Sequence, residues 1–264
     1  MLMRRAASAL VLIPLVAVLV YLGGWAFWAA LLLIGLLAGY EYLALLRHLD
    51  LRPFLPTALG YIAVVLLDVQ LPGLNLLWGA TWFLVALTLA VEVFDRNRPG
   101  SLASWSAGVA GALYIGLSLG HFVQLRALDR GIMWIALVLI GTWVSDSGAY
   151  FVGRAWGRRS LASEISPNKT WEGVWGGLVS GVITVWLISW LGLALPHWQG
   201  LILGLVLVVA ATFGDLAESV IKRQADVKDS SNLIPGHGGM FDRVDSLLFV
   251  APAVYYCMSL LALF

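Results

Sequence analysis

The sequence predicts an all-α, polytopic integral membrane helix bundle with about nine transmembrane helices and a cytoplasmic N-terminus. Of its 264 residues, 61% are hydrophobic and 12% charged, a balance outside the range of water-soluble domains and suited to a chain solvated by lipid. The apolar residues fall in long runs, such as 6–27 and 133–144, that a water-soluble core does not need. The 16 Lys and Arg residues are segregated between alternate loops. Residues 1–264 are expected to form a single transmembrane domain, with the N-terminal spans in 1–130 and the polar, chemistry-bearing spans and loops in 131–264.

A helix crosses the hydrocarbon in about 20 residues, at about 1.5 Å each. Apolar runs bounded by Gly, Pro and charges give spans at about 6–22, 25–46, 54–70, 74–94, 104–125, 132–153, 171–194, 197–221 and 244–264. The first is not read as a secretory signal peptide, because a second span follows Gly23-Gly24 and no Ala-x-Ala cleavage site intervenes. With the N-terminus inside, the inner segments hold Arg4 and Arg5, Arg47 and Arg52, Arg96 and Arg98, then Arg154, Arg158, Arg159 and Lys169, then Lys222, Arg223, Lys228 and Arg243. The outer loops keep only Arg126 and Arg130, the asymmetry that the positive-inside rule requires.

Trp25, Trp28, Trp78, Trp82, Trp171, Trp175 and Trp198 lie near span ends and read as interfacial anchors. Gly108-x-x-Gly111 and Gly173-x-x-Gly176-Gly177 read as close helix packing. The single cysteine, Cys257, excludes an intramolecular disulfide and a cysteine metal cluster. Connections long enough to hold chemistry are 154–170 and 222–243, both on the predicted inner face.

An ionised side chain at mid-membrane costs about 2.5–3.5 kcal/mol on insertion scales, so carboxylates within spans are functional candidates. Asp215, Glu218, Ser219 and Lys222 recur at i, i+3, i+4 and i+7 and share one helix face; interfacial ion pairing is the structural alternative. Then come Lys222-Arg223, Lys228-Asp229, the loop Pro235-Gly236-His237-Gly238-Gly239, and Asp242-Arg243-x-Asp245. The glycines allow backbone N–H groups to approach phosphate oxygens at a helix start. Asp242 and Asp245 share a helix face and, with Asp215, offer hard oxygen ligands for Mg²⁺, which usually takes one or two carboxylates and completes its shell with phosphate and water. Complementing a helix dipole would explain either Asp alone.

A second constellation is Asp146 with Tyr150 one turn later, then Ser166-Pro167-Asn168-Lys169-Thr170-Trp171-Glu172-Gly173. Lys169 supplies a point charge for phosphate, while Thr170 and Glu172 suit a helix start. His237 suits either a general base or a hydrogen bond to phosphate or carboxylate, whereas His48, His121 and His197 read as interfacial. Glu41, Glu92 and Asp68 lie near span ends, where solvation is expected, and receive no role.

The run Ser219-x-Ile221-Lys222-Arg223-x4-Lys228-Asp229-x-Ser231-x2-Ile234-Pro235-x-His237-Gly238-Gly239-Met240-x-Asp242-Arg243-Val244-Asp245 resembles the signature of the phosphatidate cytidylyltransferases, the CDP-diacylglycerol synthases. The resemblance extends upstream through Gly214-Asp215-x-x-Glu218, Ser166-Pro167-x-Lys169-Thr170-x-Glu172-Gly173 and Asp146-x-Gly148-Ala149-Tyr150. Asn168 and Ser231 depart from the Lys and Gly more often expected there, which affects local loop geometry only.

The resemblance implies a phospholipid-biosynthetic nucleotidyltransferase in which the phosphate of phosphatidic acid attacks the α-phosphorus of CTP, giving CDP-diacylglycerol and pyrophosphate. It implies catalytic roles for Asp215, Lys222, Asp242 and Asp245, with Mg²⁺ on Asp215, Asp242 and Asp245 and room for a second cation. Substrate contacts are expected from Asp146, Ser166, Lys169, Thr170, Glu218, Ser219, Arg223, Lys228, Asp229, His237, Gly238, Gly239 and Arg243. The expected partners are CTP, phosphatidic acid and the bilayer, without nucleic acid, and homo-oligomer formation is left open. The expected location is a bacterial inner membrane, with the site facing the cytoplasm. Two alternatives remain: another membrane enzyme using CTP, such as a polyprenol kinase, and a secondary transporter. The transporter predicts repeat-related broken helices, and the first half of this chain has nothing matching the polar second half.

Overall fold

A computed structural model describes residues 2–94, 101–233 and 238–261. Among them are nine α-helices: α1 (Leu2–Leu22), α2 (Gly24–Arg47), α3 (Leu55–Gln70), α4 (Leu77–Phe94), α5 (Ser101–Ala127), α6 (Gly131–Trp156), α7 (Trp171–Leu193), α8 (His197–Gln224) and α9 (Phe241–Leu260). A two-stranded hairpin, β1 (Ser160–Ala162) and β2 (Ser166–Thr170), joins α6 to α7. Six helices, α2 and α4 through α8, are long and apolar enough to cross a bilayer, while the apolar stretches Leu10–Leu22 and Leu55–Gln70 are shorter. The fold is the all-α polytopic membrane bundle that the composition demands, because a chain in hydrocarbon satisfies its backbone within helices.

Each expected span has its helix, and the boundaries shift for local reasons. The fourth helix begins at Leu77 because Pro72–Leu74 forms a 3-10 turn, Asn75 takes a left-handed backbone, and the Asp68 carboxylate accepts the N–H of Leu76. The last begins at Phe241, so Asp242, Arg243 and Asp245 lie inside its first two turns.

The chain divides into two compact units, residues 1–124 with 221–244 and residues 125–220 with 245–264. In the first, α2 packs on α3 and α3 on α4. Lipid tails are as apolar as leucine, so small residues and interhelical hydrogen bonds must contribute to association. A Cβ on Gly35 would come 2.9 Å from Ile62 and 3.0 Å from Leu119. The Trp28 indole donates to the Leu66 carbonyl at 2.8 Å, making Trp28 a packing residue as well as an aromatic at a span end. Tyr42 Oη donates to the Ala107 carbonyl at 3.0 Å. Gly108 and Gly111 admit Pro53 and the Tyr42 ring, as their spacing predicts. Trp25, Trp78 and Trp82 stay exposed, as anchors should.

In the second unit, α6 and α7 are the most closely associated pair of helices. Gly173, Gly177 and Gly181, four residues apart, form a buried stripe on α7, and a Cβ on Gly177 would come 2.9 Å from the Ser145 carbonyl. The connection 154–170 is a hairpin, which the sequence reading does not anticipate. Ser160 pairs with Thr170 and Ala162 with Ser166. Glu172 accepts from Arg158 N at 3.0 Å and Arg159 N at 3.2 Å. Thr170 caps α7 by accepting from Gly173 N at 3.1 Å.

Candidate active site

The second unit holds an acidic cluster. Asp215 and Glu218 project from α8 and Asp245 from α9, with carboxylate oxygens within 4.8 Å of one another. Their convergence depends on Gly214, where a Cβ would lie 2.8 Å from the Asp245 carbonyl and 2.9 Å from Ser246 Cα. Those are backbone atoms that cannot swing aside. Gly214→Ala is therefore expected to cost about 1–3 kcal/mol of overpacking and to lower turnover without blocking insertion. Wild-type turnover by that variant would show that the close approach is dispensable.

Lys169, carried by β2, places Nζ 2.7 Å from Asp215 Oδ2. The approach lies off the hydrogen-bond axis, so the contact is an ion pair. The side chains are 24% and 37% exposed, but Nζ itself is buried without a hydrogen-bond partner. A buried ammonium with unsatisfied donors calls for a further anion, such as a phosphate oxygen.

Asp215 and Lys169 line a cavity of about 710 Å³ shared with Asp146, Tyr150, Arg154, Asn168 and Thr170, within the range of small-ligand sites. Small and apolar residues, among them Ala149, Gly177 and Val208, form other parts of its wall. Arg154 Nη1 donates to Tyr150 Oη at 2.8 Å; the sequence reading gives Arg154 no site role. A lining that mixes charged and apolar residues suits an amphiphilic substrate.

The first unit holds a separate polar constellation. Lys222 Nζ donates to Asp242 Oδ1 at 2.7 Å, with side chains 14% and 4% exposed. Asp242 Oδ2 accepts from Gly239 N at 2.7 Å, Ser230 Oγ at 2.8 Å and Ser230 N at 2.9 Å. Gly238 has φ +78, a backbone conformation open chiefly to glycine. Asp242, expected as a ligand beside Asp215, thus has both oxygens engaged by donors of its own unit. Glu218, expected at the substrate, instead joins the acidic cluster and is only 2% exposed.

The remaining predicted residues divide between the units. Asp146, Ser166, Thr170 and Ser219 belong to the second, where Ser166 opens β2 and Ser219 lies on α8 beside Glu218. Arg223, Lys228, Asp229 and Arg243 belong to the first and are exposed; Arg223 Nη1 donates to the Val227 carbonyl at 3.3 Å. His237 lies outside the described residues.

Two residues without a role in the sequence reading join this constellation. Glu41, expected to be solvated, is 4% exposed on α2 and accepts hydrogen bonds from Ser230, Ser231 and Phe241 N. Ser230 links it to Asp242. A carboxylate inside an apolar span was the available signal for Glu41, and its position near a span end masked that signal.

The acidic cluster suits a hard cation: three carboxylates supply oxygen donors, and one half-buried lysine does not neutralise them. Comparison with known proteins supplies the family. Residues 3–261 match the cytidylyltransferase family. A phosphatidate cytidylyltransferase of Synechocystis sp. is 34% identical across 98% of this chain and 97% of its own length. One of Pseudomonas aeruginosa is 36% identical across 96% and 95%. One of Bacillus subtilis is 46% identical over 151 residues, which cover 56% of each chain. The gathered acids, the lysine beside Asp215 and near-complete coverage lead to one conclusion: this chain belongs to the cytidylyltransferase family and is a nucleotidyltransferase.

Proposed function

We propose that the protein transfers the cytidylyl group of CTP to phosphatidic acid, giving CDP-diacylglycerol and pyrophosphate, at the cytoplasmic face of a bacterial inner membrane. The observation that carries this reading is the triad Asp215, Glu218 and Asp245 with Lys169 at Asp215, where Asp215 and Lys169 line a cavity that is charged at some residues and apolar at others. A phosphate oxygen of phosphatidic acid forms a bond to the α-phosphorus, and the bond from that phosphorus to the α–β bridging oxygen breaks. The electron pair leaves with pyrophosphate.

The attacking phosphate is already ionised, so positioning and charge neutralisation carry the catalysis rather than a general base. Lys169 orients phosphate in the second unit. Lys222, held by Asp242, and the exposed Arg223, Lys228 and Arg243 supply positive charge in the first. Asp215, Glu218 and Asp245 would hold Mg²⁺, which supplies neutralising charge to the transferring phosphate. Asp242 is assigned instead to orienting Lys222, because its oxygens already accept four hydrogen bonds. All nine helices cross the bilayer in this reading, with α1, α3 and α9 completing the count.

The test is an assay of the full chain with CTP and phosphatidic acid, first in detergent and then in sealed inverted and right-side-out vesicles. Liponucleotide and pyrophosphate are expected in a 1:1 ratio, only where CTP reaches the cytoplasmic face, and excess chelator is expected to abolish both. Release of CDP would instead indicate a kinase, and turnover in chelator would remove the metal from the reaction.

A further inference from the structure

We propose that Glu41 is a positioning residue of this reaction: its buried carboxylate fastens Ser230, Ser231 and Phe241 to α2 and so keeps Lys222 and Asp242 in register. The inference rests on the function proposed above and adds a residue from the N-terminal half, where the sequence places no chemistry.

Three donors from one segment converge on this side chain. Ser231 Oγ lies 2.6 Å from Oε1, while Phe241 N at 2.7 Å and Ser230 Oγ at 3.0 Å meet Oε2. The partners are about 190 to 200 residues away in sequence, so no local propensity produces the contact. The next residue of α2, Tyr42, packs its ring edge-on against Phe241 at 5.8 Å between centroids, and Phe241 is fully buried. Adjacent residues of α2 therefore hold the first residue of α9 by its backbone and by its ring.

Ser230 connects this fastening to the reactive pair. Its single hydroxyl hydrogen faces two carboxylates, Glu41 Oε2 at 3.0 Å and Asp242 Oδ2 at 2.8 Å. The packing is close enough that a Cβ on Gly239 would collide with Ser230 Oγ and the Glu41 carboxylate. Freed from Glu41, Ser230 keeps Asp242 as its partner but loses its fixed place, and Asp242 is what holds the Lys222 ammonium. A purely structural role would be met at lower cost by an apolar contact, since a buried carboxylate must recover its lost hydration through hydrogen bonds.

The experiment compares wild type, Glu41→Gln and Ser231→Ala as full chains in detergent, reading amide hydrogen exchange, thermal unfolding and turnover. Hydrogen bonds to charged groups are worth enough that Glu41→Gln should accelerate exchange across 229–241 by about 10- to 100-fold, leaving α6 and α7 at wild-type rates. Its turnover should fall about tenfold or more with little change in unfolding midpoint. Ser231→Ala, which removes one donor and no charge, should give a smaller acceleration confined to the same segment. Unchanged exchange in 229–241, or faster exchange throughout the chain, overturns the inference. Wild-type protein inactive on CTP and phosphatidic acid refutes the proposed function instead, a result that the exchange measurement does not share.

Discussion

Asp215→Asn is expected to insert and fold as wild type and to lose about 10² to 10³ in turnover, the usual cost of deleting one electrostatic contact to a transition state. Three carboxylates crowd within 4.8 Å, and the Lys169 ammonium lies 2.7 Å from Asp215. Removing one negative charge therefore relieves repulsion among the acids while weakening their hold on a cation. Thermal unfolding without divalent ions should show a midpoint equal to or above wild type, and Mg²⁺ should raise it less than it raises wild type. Near-normal turnover by this variant would return the triad to a purely structural role.

Asp242→Asn should also abolish turnover, but it should destabilise the protein as well. The Lys222–Asp242 pair is buried, at 14% and 4% side-chain exposure, and removing one partner of a buried pair costs about 3–5 kcal/mol because the other charge is stranded. An amide in place of the carboxylate also turns its NH₂ toward donors, either Lys222 Nζ or the N–H groups of Ser230 and Gly239. The unfolding midpoint should therefore drop for Asp242→Asn and hold for Asp215→Asn. Replacing both partners, with Lys222→Met and Asp242→Leu, should restore much of the stability and none of the activity. A midpoint for Asp242→Asn equal to wild type would refute the buried-pair account.

These two aspartates show how far the sequence carries. Their shared type and their neighbourhood suggest one metal site, and Asp215 and Asp245 do meet Glu218 in the acidic cluster. Asp242 differs only in its surroundings: it faces Lys222, Ser230 and Gly239, and both of its oxygens are engaged there. The hairpin that carries Lys169 was equally hidden. Its strands are three and five residues long, too short for a period-two pattern to register, and Glu172 and the Thr170 cap tie its ends to α7.

The sequence by itself determined the membrane class, the positions of the helices and the identity of the polar signature, because these follow from local quantities. Hydrocarbon forces backbone hydrogen bonding into helices, and about 20 apolar residues are needed for each crossing. The spacing of acids along one helix is likewise local. Which acid meets which cation depends on how separate helices pack, and packing depends on small-residue contacts such as Gly214 against the Asp245 backbone. Glu41 shows the limit most clearly: its partners lie about 190 residues away, and only the tertiary structure brings them to a side chain that the sequence leaves at a solvated span end.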